Sequence, residues 1–467
     1  MVSNVTAIAR PGAGYTAWVR IAWFSPWPPQ SSGIATYSAE VVAALTSRGH
    51  GVDVFVDERR VAVLPVPDSP APPGEWRLQT AHDFVWRAGR GQYDLAVYQI
   101  GNSHLHDFVW PYLFRWPGLA VLHETRLHHA RGHALLAGGH LSDYRSEFAW
   151  NHPHVSPAAA ELAVRGFSGS YYYLWPMLRR IAESSRCVAT HTEGSVAALQ
   201  MEFPDRAIDY IALGHGRPEP VTAAERAASR SALGVAPGDM LFGVFGALTA
   251  EKRIAQILRA FACLAPRRPF VRLLLAGARD ASVDIHELAR DLGVHDRVMV
   301  ADDLTDAEFA SAIVAADVSL NLRWPTAIES SGPWLRALAA ARPTVTTALE
   351  HQAHVPAFDP RTWMPLDPES RRRPVTIAID LLDEEHSLRL AMDRLATDED
   401  LRASLGIAGR TYWEQHHSPA RMMDDYERVL TRAAALAGPD VLPAPFATDP
   451  LDHARELLAP FGETPCT

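Results

Sequence analysis

The first half of the chain alternates short apolar runs with longer amphipathic ones. VRIAWFS (19–25), GVDVFVD (51–57), YDLAVYQI (93–100), GLAVLHE (118–124) and RCVATHT (186–192) are short and rich in Val, Ile, Leu and aromatics. Runs of that kind predict buried strands. Helical stretches lie between them, such as IATYSAEVVAALTSRG (34–49) and DFVWPYLFRW (107–116). A second series begins after the polar, proline-bearing stretch 214–239, which suits a linker and a first surface helix. Its strands are MLFGVFGAL (240–248), VRLLLAGA (271–278), DRVMVADD (296–303), DVSLNLR (317–323) and PTVTTA (343–348), with helices near 253–265, 283–292, 305–315 and 333–341. After about residue 375 the pattern is wholly helical as far as LAGPDVLPAP (436–445), and a short amphipathic tail follows. Alternation of this kind predicts βαβ units and parallel sheets, so the chain reads as two α/β domains in tandem. Its 467 residues are too many for one ordinary core and suit that division.

Composition narrows the class. An apolar content of 48% with 21% charged residues is ordinary for a globular protein. No apolar run approaches the roughly 20 residues that span a bilayer, and MVSNVTAIARPGAGYTAWVR lacks the basic-then-apolar order of a signal peptide, so a cytoplasmic protein is expected. Cys187, Cys263 and Cys466 are widely spaced and odd in number, which predicts neither a disulfide framework nor a CxxC metal site. The net charge of −10 argues against nucleic acid as a partner. All but one of the 44 basic residues are arginine, the mark of a GC-rich, bacterial genome.

The exception is Lys252, in GALTAEKRIA. It falls just past a predicted strand and just before a predicted helix, where ligands of open parallel sheets bind. A cation there, beside helix N-terminal amides, suits an anion such as a diphosphate. The bland reading is a solvated lysine that has not drifted to arginine. Arg253 is placed to assist or to face solvent. A second feature is RWPTAIESSGPWLRALAAARPTVTT (323–347). Glu329 follows a strand, and Ser330, Ser331 and Gly332 lead into a helix with Pro333 in its first turn. Such a turn offers free N–H groups to an anion and a carboxylate to sugar hydroxyls, or simply complements the helix dipole. His128, His129, His133 and His140 carry no HExxH or Cys/His spacing, so no metal is expected. GxxxxGK[ST], GxSxG and a first-loop GxGxxG are absent.

These stretches resemble the retaining, nucleotide-sugar-dependent glycosyltransferases of family 4. The second half carries the lysine as Lys252 after the glycine turn at Gly246, with Ala247 where the family has an arginine. Glu329 matches the first glutamate of the family's Glu-x7-Glu motif. The second slot falls on Ala337 by count, or on Arg336 when Pro343 is aligned. In the first half, SPWPPQSSGIATYSAEVVAAL (25–45) is similar to the first strand-to-helix loop, where Gly33 lets the backbone approach the donor phosphates. VLHETRLHH (121–129) is similar to the segment whose histidine, His123 here, lies near the reacting sugar; Glu124 stands where Asp is common.

The resemblance implies a GT-B fold: two Rossmann-like parallel-sheet domains facing across a cleft, with a C-terminal helical segment. Residues 1–218 would form the acceptor-side domain and 219–425 the donor domain, while 426–467 would pack back towards the first. It implies transfer of a hexose-type sugar from a nucleoside diphosphate, UDP or GDP first, to an acceptor hydroxyl of a small molecule, glycan or lipid-linked acceptor. His123, Lys252 and Glu329 would be catalytic. Gly33, Gly246, Arg253, Ser330, Ser331, Gly332 and Arg336 would bind donor, with no metal and no further cofactor. Other readings stay open: a nucleotide-sugar 2-epimerase or a glycan phosphorylase of the same fold, and a non-catalytic nucleotide-sugar-binding protein.

Overall fold

The computed structural model describes residues 18–30, 32–63, 68–280 and 283–443. Residues 444–467 of the expected tail, with Cys466, lie outside the described residues. The chain divides into two compact units, residues 1–97 and 98–467. In the first unit, β1 (Arg20–Phe24) pairs in parallel with β2 (Gly51–Val56), and β2 with β3 (Trp76–Thr80). Phe24, Phe55 and Phe84 pack ring against ring under this sheet. Asp53 is buried within β2 and its carboxylate is satisfied by Gln79 Nε2 at 2.9 Å, Tyr93 Oη at 2.9 Å and the Ala71 amide at 3.1 Å. A buried carboxylate is stable only when bonded in this way.

β4 (Leu95–Ile100) starts in the first unit and runs into the second, where β5 (Leu119–Leu122), β6 (Cys187–Thr190) and β7 (Ile208–Tyr210) follow. The strand order is β3-β2-β1-β4-β5-β6-β7. A second parallel sheet lies wholly in the second unit. It comprises β8 (Met240–Phe245), β9 (Val271–Ala276), β10 (Val298–Ala301), β11 (Val318–Asn321), β12 (Thr344–Thr347), β13 (Ala357–Phe358) and β14 (Thr376–Ile379), in the order β10-β9-β8-β11-β12-β14-β13. Both faces of β8 are covered: Met240, Phe242 and Val244 join one apolar cluster, Leu241 and Phe245 the other. That is why the strands read as continuous apolar runs and not as alternating ones. Two parallel seven-stranded sheets flanked by helices, closed by C-terminal helices, make the GT-B fold.

Several elements depart from the expected pattern. The segment after residue 375 is not wholly helical, since PVTIAID holds β14, whose four residues are all buried. A four-residue apolar run carries no period that separates strand from helix. β3, β7 and β13 were also outside the expected strands. β3 (WRLQT) is a partly exposed edge strand with polar positions, and the other two span only three and two residues. The helix expected over 107–116 starts at Trp110, because Pro111 fits the first turn and a 3₁₀ turn, His104–His106, precedes it.

The last three helices are Glu384–Thr397, Glu399–His416 and Pro419–Ala435. Pro419–Ala435 is amphipathic and lies along β7: Arg428 and Arg432 bond the two oxygens of Asp209 at 2.8 and 2.7 Å, and Asp425 accepts from the Ala212 amide at 3.1 Å. Asp209 also accepts the Cys187 thiol at 3.5 Å. Asp209→Ala removes the acceptor of all three and is expected to lower stability by about 1–3 kcal/mol, read as a shift of the urea midpoint.

Candidate functional site

The site is built from loops after β5, β8, β11 and β12, all within the second unit. β8 ends at Phe245, and Gly246 then turns the chain with φ +89°. Only glycine adopts that conformation without strain. It also lacks the Cβ that would stand 2.6 Å from the Lys252 ammonium. The chain continues through a 3₁₀ turn, Ala250–Lys252, into the helix Ile254–Leu264. Lys252 is therefore not a solvated lysine: it is 9% exposed, and its Nζ donates to the Phe245 carbonyl. Burial, reinforced by the Arg323 guanidinium and opposed by Glu329, brings its pKa down from 10.5 to about 7.

Glu329 faces the same small cavity as Lys252, about 30 Å³, room for roughly one water. Its carboxylate is fixed by Arg323 at 2.5 Å and by the Thr326 hydroxyl at 3.0 Å. The Trp324 amide bonds the Glu251 carbonyl at 2.7 Å, tying this loop to the lysine turn. Ser331 lines the cavity and caps the helix Gly332–Ala339, accepting from the Trp334 amide at 3.3 Å. Ser330 donates to the His191 carbonyl at 3.1 Å, and Gly332 packs closely on His215.

His123 stands just past β5. Its Nε2 donates to Gln99 Oε1 at 2.8 Å, and its ring lies 4.8 Å from that of His191. Burial, with His191 beside it, pushes the imidazole well below its usual range, so it is neutral at physiological pH and Nδ1 is left as an acceptor. Glu124 follows. Burial, and the charge of Glu329, push its carboxyl up to about 8. The Thr125 amide bonds the Ala327 carbonyl at 2.9 Å, so the β5 and β11 loops are joined. Glu329, paired with arginine, thus shares the site with a carboxyl that is protonated at neutral pH.

Of the sequence candidates in the second unit, His123, Arg253, Ser330, Gly332 and Arg336 are not among the residues lining this cavity. Arg253 is held bidentately by Glu384, at 2.7 and 2.5 Å, and is not among the lining residues. Arg336 stacks over Phe309 at 5.7 Å. Gly33 opens the helix Gly33–Ser47 of the first unit, with open space where a Cβ would lie. Arg323 and His351, which also line the cavity, carry no sequence motif, and Glu124 stood out only as a departure from Asp. Arg323 ends the predicted strand DVSLNLR, six residues before Glu329, and that position was the available signal. Among the described residues no group of three or more His, Cys, Asp or Glu side chains could hold a metal ion, and no helix is long and apolar enough to cross a membrane.

The solved structures to which the chain is similar include glycosyltransferases. WaaG, a glycosyltransferase involved in lipopolysaccharide biosynthesis, superposes with a TM-score of 0.57 at 15% identity, covering 88% of this chain and 99% of its own. Sucrose-phosphate synthase from Thermosynechococcus elongatus gives 0.59 at 16%, covering 88% and 98%. HepE from Anabaena, solved in complex with UDP and glucose, gives 0.57 at 14%, covering 88% and 99%. No family model and no curated protein sequence matches the chain.

Because Lys252 is the single lysine, selective ¹³Cε-lysine labelling yields one NMR resonance. Its titration midpoint is expected near pH 7 and not near 10.5, and Glu329→Gln, which removes the carboxylate supporting the charge, should move it lower. A midpoint above 10 would contradict the enclosure described here.

Proposed function

We propose that the protein is a retaining glycosyltransferase that moves a hexose-type sugar from a nucleoside diphosphate, UDP or GDP, to an acceptor hydroxyl. The observation that carries this reading is the convergence of Lys252 and Glu329 on one cavity, beyond the carboxyl ends of β8 and β11 in a GT-B sheet. HepE, of the same fold, binds UDP and UDP-glucose, which supports a nucleotide-sugar donor.

The hard step is departure of the diphosphate from an oxocarbenium-like centre, so charge on the leaving group is the main contribution asked of the protein. The bond from the anomeric carbon to the diphosphate oxygen breaks, and the acceptor oxygen bonds to the same face. The acceptor proton passes to the departing phosphate oxygen, with no carboxylate nucleophile. Lys252 neutralises that phosphate, helped by Ser330, Ser331 and the amides entering the helix Gly332–Ala339. Glu329 accepts from sugar hydroxyls, and His123 hydrogen-bonds the sugar near its anomeric carbon. In this reading no metal and no cofactor takes part. One observation favours a non-catalytic donor binder: Arg253 is occupied by Glu384, and Ala247 leaves the diphosphate no other arginine from this turn. Donor binding without turnover over a broad acceptor panel would select that reading.

Lys252→Ala is expected to lower turnover by about two to three orders of magnitude with the fold intact by circular dichroism; wild-type turnover would remove Lys252 from the mechanism. A second outcome follows from the titration. A sugar nucleotide has no ionisation of its own near neutrality, and its negative charge raises the lysine pKa when bound. Affinity should therefore be flat below pH 7, where Lys252 is already charged. Above pH 7, where binding must also take up a proton, it should fall, by up to about tenfold per pH unit. Calorimetric titration of UDP-glucose and GDP-mannose at pH 6.5 and 8.5 measures this, and equal affinities at the two would count against it.

A further inference from the structure

One of the residues lining the cavity beside Lys252 carries a buried polar atom without a hydrogen-bond partner. His351 stands in the 3₁₀ turn Glu350–Gln352, directly after β12, and lines the cavity with Lys252, Arg323 and Glu329. It is 8% exposed, and its Nε2 is buried without a hydrogen-bond partner. Leaving a polar atom buried and unpaired is costly, and native structures keep few of them outside functional sites.

The turn is held from behind. Gly194, at the start of the helix Glu193–Glu202, lies so close that a Cβ there would meet the Cα of His351 at 2.8 Å and its carbonyl oxygen at 2.9 Å. The imidazole is thus set in place by backbone packing and not by a bond of its own. Burial holds it neutral, with a pKa near 4, and Glu329 is the first influence opposing that shift. The two groups therefore sense each other across the cavity without bonding. A carboxylate only accepts and an Nε2–H only donates, so the group that bridges them must do both. An alcohol does.

We propose that His351 binds the sugar of the donor, its Nε2–H donating to a hydroxyl whose own proton is given to Glu329. This rests on the glycosyltransferase reading and names the contact that reads the sugar. A larger cavity of about 230 Å³ shares Thr347, Leu349 and Gln352 with this one. The substrate class is accordingly a nucleotide sugar with a free hydroxyl at the position facing β12.

The test is calorimetric titration of the wild type, His351→Phe and His351→Gln with two probe pairs, UDP with UDP-glucose and GDP with GDP-mannose. His351→Phe keeps the ring shape but lacks the N–H. It is expected to weaken the sugar nucleotide by about tenfold or more while leaving the nucleoside diphosphate within about twofold. His351→Gln retains an N–H and should recover part of the loss. Gly194→Ala, outside the cavity, should give the same selective loss by displacing the turn. Equal weakening of both members of a pair, or of neither, in folded His351→Phe overturns the assignment; if that variant does not fold, the same pattern in His351→Gln does so. A wild type that binds neither pair sinks the glycosyltransferase reading itself, a result distinct from the other two.

Discussion

The burial of an ammonium group against a backbone carbonyl, with no carboxylate of its own, is the constraint around which the site is arranged. Glu329 is held by Arg323, so Lys252 receives only partial compensation, and its proton is weakly held. Glu124 answers the same crowding by keeping its proton. Burial thus moves both groups towards their neutral forms, Lys252 by loosening a proton and Glu124 by keeping one. Buried charges cost heavily unless paired, so an anion beside Lys252 would favour its protonated form. Under the proposed function the donor diphosphate would be that anion.

Much of this was legible in the amino-acid order, and the reasons are particular. Of the strands that carry the site, β5 (LAVL) and β8 (MLFGVF) are buried throughout and so announced themselves as apolar runs. Lys252 stood out because the rest of the chain replaces lysine with arginine. Glu329 was marked by its place between a strand and a helix with an early proline. What was hidden depends on contacts across long separations. The engagement of Arg253 by Glu384 spans 131 residues, and no local pattern could anticipate that an arginine beside the key lysine would be occupied elsewhere. His351 lies in a turn with no motif, and its meaning comes only from what surrounds it and from what does not bond to it. β14 was lost because four apolar residues before a helical region look like the start of that helix.

Two of the ties that hold the site's loops together are made by main chain alone: Trp324 to Glu251, and Thr125 to Ala327. A bond between peptide groups is indifferent to which residues carry them. Substitutions can therefore accumulate along these loops without moving the lysine relative to the glutamate, whereas an inserted or deleted residue would uncouple them at a stroke. Loop length, more than loop composition, is then what these two ties constrain.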